Sequence, residues 1–232
     1  MHQATVPSSH DQGPSTPFAN LSGEAQAQFN TMAMEMSYTR GTRLFVQDEM
    51  PQSIFVLSSG RVKLSVTSRD GKTVILRIAT AGDVLGLSAV LSGSPYEVSA
   101  EVLEPCRAKV IRAQDFLRLL QRHPEASMEA TRCILSEYQA TFSNVCRLAL
   151  PTTVAGRLAN LLLEWLEDRF QRGEKERRLT LALTHEEIAG MTNTSRETVS
   201  RVFHQFQREK FIAVKGASLH VLQPQALEQI AL

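Results

Sequence analysis

The stretch Thr194-Ser195-Arg196-Glu197-Thr198-Val199-Ser200-Arg201 carries side chains able to read the edges of DNA bases. An arginine guanidinium makes a two-pronged contact to guanine O6 and N7, and a glutamate accepts from cytosine N4. Arg196 beside Glu197 therefore suits neighbouring bases on opposite strands, and Arg201, one helical turn later, reaches a further base or a phosphate. The hydroxyls of Ser195 and Thr198, with the free amides of a helix start, suit phosphate oxygens. Thr184, Ser200 and Lys215 are further phosphate candidates.

Such chemistry needs a rigid mount, and the flanking residues describe one. Thr184 with Glu187 three residues later forms a capping box, and Ile188, Ala189 and Met191 supply the apolar face of a two-turn helix. Thr192-Asn193-Thr194 breaks that helix, with Asn193 where a turn between crossed helices calls for positive φ, a region Asn tolerates. Ser195 then caps a second helix. In it Val199, Val202, Phe203 and Phe206 recur at helical spacing and face a core. That phase leaves Arg196, Glu197, Ser200 and Arg201 outside it, and a helix in the major groove reads mostly with its N-terminal residues. Phe211-Ile212-Ala213-Val214, the turn Lys215-Gly216-Ala217-Ser218 and Leu219-His220-Val221-Leu222 predict a β-hairpin, the wing of a winged helix, with Lys215 at its tip.

The whole-chain charge is only +1 over 232 residues, so bulk electrostatics do not announce nucleic acid. The two halves, split at Pro151, are each near neutral, but the segment from Arg196 to Lys215 sets five basic residues against two acidic ones. Phosphate affinity follows such a local patch. The length suits two modest domains. No apolar run of membrane-spanning length and no secretory leader is visible, so no membrane partner is expected. The three cysteines, Cys106, Cys133 and Cys146, form no paired motif; they predict a reducing cytoplasm and buried thiols. No zinc spacing, nucleophile–base pair, phosphate-cradling glycine loop or paired carboxylates stand out, which argues against an enzyme and against a bound metal.

Residues 1–17 read as a disordered tail rich in Ser, Pro, His and Gln, and Ala19 to Met36 as a short helix. From Tyr38 to about Arg112 short strand-like runs alternate with turn signals, among them Asp70-Gly71, the pattern of a sandwich or barrel. Gln114 to Arg122 predicts a short helix, and Pro124 to Ala149 a long one. On the long helix Met128, Leu135, Phe142 and Ala149 are seven apart, with Thr131, Tyr138 and Val145 three after the first three. This is a heptad seam, suited to a parallel dimer or to packing on the β-domain of the same chain. Leu150-Pro151-Thr152-Thr153 interrupts it as a hinge, Val154 to Arg169 is a further amphipathic helix, and Gln171 to Arg178 is a charged, solvated loop.

In this order of parts, and in Ser195-Arg196-Glu197-Thr198-Val199 with Arg201, the chain resembles the CRP/FNR family of bacterial transcription regulators, its recognition helix being similar to that of the cyclic-AMP receptor branch. Gly156-Arg157-Leu158-Ala159 resembles the segment after the family hinge, and Gly60, Gly71, Gly82 and Gly86 stand where the family's β-roll has glycines. The resemblance implies an α+β fold. A cyclic-nucleotide-binding-like β-roll (jelly roll, 18–123) would precede a dimerisation helix and hinge (124–150) and a winged helix-turn-helix (151–232). It implies a homodimer on double-stranded DNA, reading a palindrome with TGTGA-like half-sites whose centres lie roughly 10 bp apart. RNA polymerase would be a partner if the chain activates.

The effector site departs from that resemblance. The cyclic-nucleotide members carry Gly-Glu-Leu, a spacer, then Arg-Ser-Ala; the matching residues here are Gly86-Leu87-Ser88 and Val98-Ser99-Ala100, with Glu97 alongside. Leu87 replaces the glutamate that holds the ribose, and Val98 replaces the arginine that pairs the phosphate. A buried phosphate needs a cation or several donors, so tight cyclic-AMP binding is not expected. Phe142 suits either an apolar ligand or dimer packing. The absence of cysteines before Cys106 argues against the iron–sulfur cluster of some members. Haem would have only His123 or Cys106 as sensor-half ligands, read here as a surface histidine and a core cysteine. No cofactor is predicted. A rival class is a ligand-binding regulatory module whose winged helix docks on protein; the charged reading face weighs against it.

Overall fold

The computed structural model describes residues 16–150, 153–171, 177–180, 183–216 and 218–231. Residues 1–15, and 151–152 of the stretch expected to be a hinge, are among those outside these. Pro17, expected from composition to belong to the disordered tail, is buried in the fold.

Helix α1 (Gly23–Met32) leads into strand β1 (Met34–Tyr38), which ends the helix earlier than expected at Met36. Long-range pairing overrides the local pattern there: Met34 to Tyr38 lie antiparallel to Val110 to Cys106. The remaining strands of the roll are β2 (Arg43–Phe45), β3 (Ser53–Thr67), β4 (Thr73–Ala79), β5 (Val84–Leu85) and β6 (Ser99–Arg112), with the short helix α2 (Leu87–Ser92) between β5 and β6. Every pairing is antiparallel, in the order β1-β6-β3-β4, with β2 on β6 and β5 on β3.

Strand β3 begins with four consecutive buried apolar residues, which alternation alone does not explain. Its two faces serve two cores. Ile54 and Val56 meet Phe18, Phe29, Phe116 and Leu119, whereas Phe55 and Leu57 meet Phe45, Val62, Tyr96 and Val102. Burying each such side chain stabilises the fold by about 1.5–3 kcal/mol. Where β3 crosses β6, Gly60 has φ +86°, and a Cβ there would stand 2.4 Å from that of Cys106. Only glycine fits that crossing.

Helix α3 (Ala113–Arg122) packs beneath the roll. Helix α4 (Pro124–Ala149) starts with Pro at its first turn, where a missing N–H costs nothing. His123 at that junction is buried, not on the surface as read from sequence, and its Nε2 is 2.8 Å from Gln28 Oε1. Helix α4 turns Ala126 and Ala130 into its own chain and leaves Met128, Leu135, Tyr138, Phe142 and Val145 between 53% and 64% exposed, with Thr131 and Ala149 also exposed.

Beyond the hinge come α5 (Val154–Gln171), β7 (Arg178–Thr180), α6 (His185–Met191), α7 (Arg196–Arg208), β8 (Ile212–Lys215), β9 (Ser218–Val221) and α8 (Pro224–Ala231). The three strands form one sheet, β7-β9-β8. Arg178 thus belongs to a strand rather than to the solvated loop expected there, while 172–176 lie outside the described residues. The core under α7 contains Val199, Val202, Phe203 and Phe206 together with Leu158, Leu162, Ile188 and Leu219; Ile75 and Leu103, from the sensor roll, are buried in the same cluster. Gly190 eases the approach: a Cβ on it would lie 3.1 Å from Ile75 Cγ1, close enough that the isoleucine would have to shift by a few tenths of an ångström.

Candidate functional site

Helices α6 and α7 meet through a turn fixed at both ends. Thr184 and Glu187 exchange a capping box: Glu187 N donates to Thr184 Oγ1 at 3.2 Å, and Thr184 N to Glu187 Oε2 at 2.6 Å. Asn193 takes φ 49°, and the Arg157 guanidinium of α5 donates from Nε to Thr192 O at 2.8 Å. Ser195 caps α7 by accepting from Thr198 N at 3.2 Å. On the inner side the His185 ring stacks on Phe203 at 5.2 Å.

This mount turns Arg196, Glu197 and Arg201 into water, opposite the buried face of α7. Hydrogen bonds from its own backbone amide, then from Ser195, and the nearby Arg196 charge hold the Glu197 carboxyl below its ordinary range. Glu197 is therefore an acceptor at neutral pH, as contact to a cytosine amine requires. Lys215 is exposed at the end of β8, at the hairpin tip. Among the hydroxyls expected on phosphates, Ser195 and Thr198 stand together at the helix start, with their oxygens 3.1 Å apart. Two others are already engaged: Thr184 Oγ1 donates to Glu187 Oε2 at 2.9 Å, and Ser200 Oγ lies 2.8 Å from His185 Nδ1. Sequence reasoning passed over Arg178, which is exposed beside the wing and donates from Nε to Ser218 Oγ at 2.7 Å. The alternation of exposed Arg178 with buried Leu179 was the available signal.

A second concavity, of about 300 Å³, lies between the roll and α4. Gly86, Ser88, Glu97 and Val98 of the sequence-derived effector set line it. The other three do not. Leu87 is buried on the far side with Phe18 and Phe116, Ser99 Oγ accepts from Gln47 N at 3.0 Å, and Phe142 stacks on Tyr138 along the exposed stripe of α4. Arg77, Tyr96, Ile134, Glu137 and Thr141 also line the cavity and were not singled out beforehand. Ile134, Glu137 and Thr141 recur at i, i+3 and i+7, a second stripe on α4 that the heptad reading ignored.

The electrostatics of this cavity are unusual. Arg77 Nη1 pairs with Asp83 Oδ1 at 3.0 Å, and its Nε is buried without a hydrogen-bond partner. Ser88 Oγ donates to Glu97 Oε2 at 3.2 Å. Burial, and secondarily the Glu97 and Asp83 charges, raise the Glu137 carboxyl above its ordinary value against an opposing pull from Arg77. Burial, reinforced by Glu129, Asp83 and Glu137, pushes the Cys133 thiol up to about 12, and burial raises Cys106. Thiols so protonated are poor nucleophiles and poor ligands. Among the described residues no cluster of His, Cys, Asp and Glu could hold a metal, and no helix is long and apolar enough to cross a membrane.

Comparison with known proteins joins the two sites. Residues 35–123 match the model of the cyclic nucleotide-binding domain, and residues 156–230 that of the Crp-like helix-turn-helix domain. The chain is 29% identical over 216 residues to the CRP-like cAMP-activated global transcriptional regulator of Mycobacterium tuberculosis, covering 92% of this chain and 95% of that one. It is 26% identical to the cyclic AMP receptor protein of Thermus thermophilus, over 84% of this chain and 86% of that protein. The solved structure of FixK2 from Bradyrhizobium japonicum shares the fold, with a TM-score of 0.74 at 21% identity over 86% of this chain and 98% of that one. A cyclic-nucleotide-type roll, a long helix and a Crp-like reading head in one polypeptide place this chain in the CRP/FNR family of transcription regulators.

Proposed function

We propose that two copies of this chain, paired along α4, read a two-fold symmetric operator through the α7 helices. Arg196 and Glu197 contact adjacent bases of a TGTGA-like half-site, and Arg201 contacts a further base. Lys215, Ser195 and Thr198 hold phosphates. The single observation that carries the reading is the face of α7: three charged side chains stand in water, on a helix whose opposite face is wholly buried. The exposed seam of Met128, Leu135, Tyr138, Phe142 and Val145 supports the pairing, since an apolar stripe at heptad spacing on one helix is what a parallel partner covers. Half-site centres then fall roughly 10 bp apart. If the protein activates, RNA polymerase is the further partner.

The cavity between roll and α4 is the effector pocket in this reading. The Mycobacterium regulator is named as cAMP-activated, yet Val98 and Glu97 line this cavity and its arginine is committed to Asp83. A cyclic phosphate would meet carboxylates rather than a free cation, so tight cyclic-AMP binding is not part of the proposal.

Fluorescence anisotropy on a TGTGA-type palindrome and a scrambled duplex of equal length tests the reading. A preference of about a thousandfold at moderate salt is expected for specific over random sequence. Equal affinity for the two duplexes rejects it.

A further inference from the structure

We infer that the cavity between the roll and α4 binds a small monocation, a primary amine carried on an apolar or aromatic body. The inference rests on reading this cavity as the effector pocket and names the class of ligand it takes.

The wall is mostly apolar, with Leu64, Leu76, Leu85 and Ile134 among its side chains, so a ligand must bring a hydrophobic body. Its polar groups are not balanced. Glu97 and Glu137 both line the space, and neither makes a salt bridge among the described residues. Arg77 is the cation on the wall; it is only 13% exposed and already paired with Asp83. Arg77 Nε has no hydrogen-bond partner but is buried, and an anionic ligand that reached it would then face two carboxylates. A cation instead gains both, and removes the mutual repulsion between them.

The aromatic content points the same way. Phe45, Tyr96 and Tyr138 line the cavity; Phe45 and Tyr96 cover each other in a stack at 4.1 Å, and the exposed Tyr138 ring adds the aromatic surface able to attract an ammonium. Of the two carboxylates Glu137 is half-buried and Glu97 exposed, so Glu137 is the one that meets the cation away from water. Ser88 and Thr141 supply hydroxyl acceptors for its remaining protons. At about 300 Å³ the cavity is at the small end of ligand pockets, a size suited to one ring with a short aminoalkyl chain.

Isothermal calorimetry on the full chain with three probes of equal shape tests this: 3-phenylpropylamine, 3-phenylpropanol and 3-phenylpropanoate, with cyclic AMP as a fourth. The amine should bind at least about tenfold tighter than the alcohol and the acid, and Glu137→Gln and Glu97→Gln should each weaken the amine about tenfold while leaving the alcohol unchanged. No detectable heat from the amine, equal binding of amine and alcohol, tighter binding of the acid or of cyclic AMP, or amine affinity indifferent to both substitutions overturns the inference. Ligand-free operator binding, measured by anisotropy on the same samples, separates the outcomes. Palindrome preference without amine binding removes the ligand class alone, whereas loss of palindrome preference with amine binding intact removes the DNA reading and leaves the cavity chemistry standing.

Discussion

On α7 the side chains proposed to contact DNA lie within six residues of sequence and point into water; those lining the cavity come from β4, the loop before β6, and α4. The first region depends on local rules: a cap, a turn and a helical period. The second depends on tertiary closure, which brings Arg77, Glu97 and Glu137 together across 60 positions of chain. A surface of the first kind changes its partner by exchanging one side chain. In the second kind burial comes first, raising Glu137 and Cys133, and each exchange then alters the charge that these neighbours feel.

The largest effect that sharpens this contrast is expected in the scaffold of the reading face. Phe206 is fully buried on the inner face of α7. Phe206→Ala should cost about 3–5 kcal/mol in denaturant unfolding, whereas exposed Arg196→Ala should leave stability within about 0.5 kcal/mol. Arg196→Ala should instead weaken operator binding by about 1–3 kcal/mol and relax preference at one base position. If the variant holds palindrome and random duplex as the parent does, Arg196 is not a base contact. Lys215→Ala should weaken all duplexes alike and lower the slope of log affinity against log salt by about one; an unaltered slope removes the wing from the interface.

The smallest effect probes the cavity. Below the ordinary glutamate range Glu137 is protonated in folded and unfolded chains alike and contributes nothing. As pH rises the unfolded chain ionises first, so the folded state loses stability until its own raised pKa is passed, and the loss then stays constant. Glu137→Gln should therefore raise the thermal midpoint at neutral pH, with the gain fading as pH falls into the ordinary carboxylate range. A gain that persists in acid would assign the effect to packing instead of charge.

The reading head was legible because its determinants are short-range. Thr184 with Glu187, Asn193 and Ser195 each specify their own backbone, and the spacing of Val199, Val202, Phe203 and Phe206 specifies the buried side. The roll was legible as alternating strands and turns, but its partners were not. Met34–Tyr38 reads as a helix end until β6 is supplied as a pairing strand. The cavity was half legible, for Gly86, Ser88, Glu97 and Val98 sit in a run that resembles the family cassette, whereas Arg77 and Glu137 have no local signature. Leu87 illustrates the limit: a substitution at a ligand position looks like a changed contact, yet the side chain has turned into a different core.

Ile75 and Leu103 belong to the N-terminal sheet but are buried with the side chains that support α7, and Ile75 lies against Gly190. Separating the two halves would return those surfaces to water, so neither can melt while the other keeps its full enthalpy. Heating should produce one shared endotherm rather than a ladder of two, and a stabilising change in the sheet should be felt as delayed melting of the reading head.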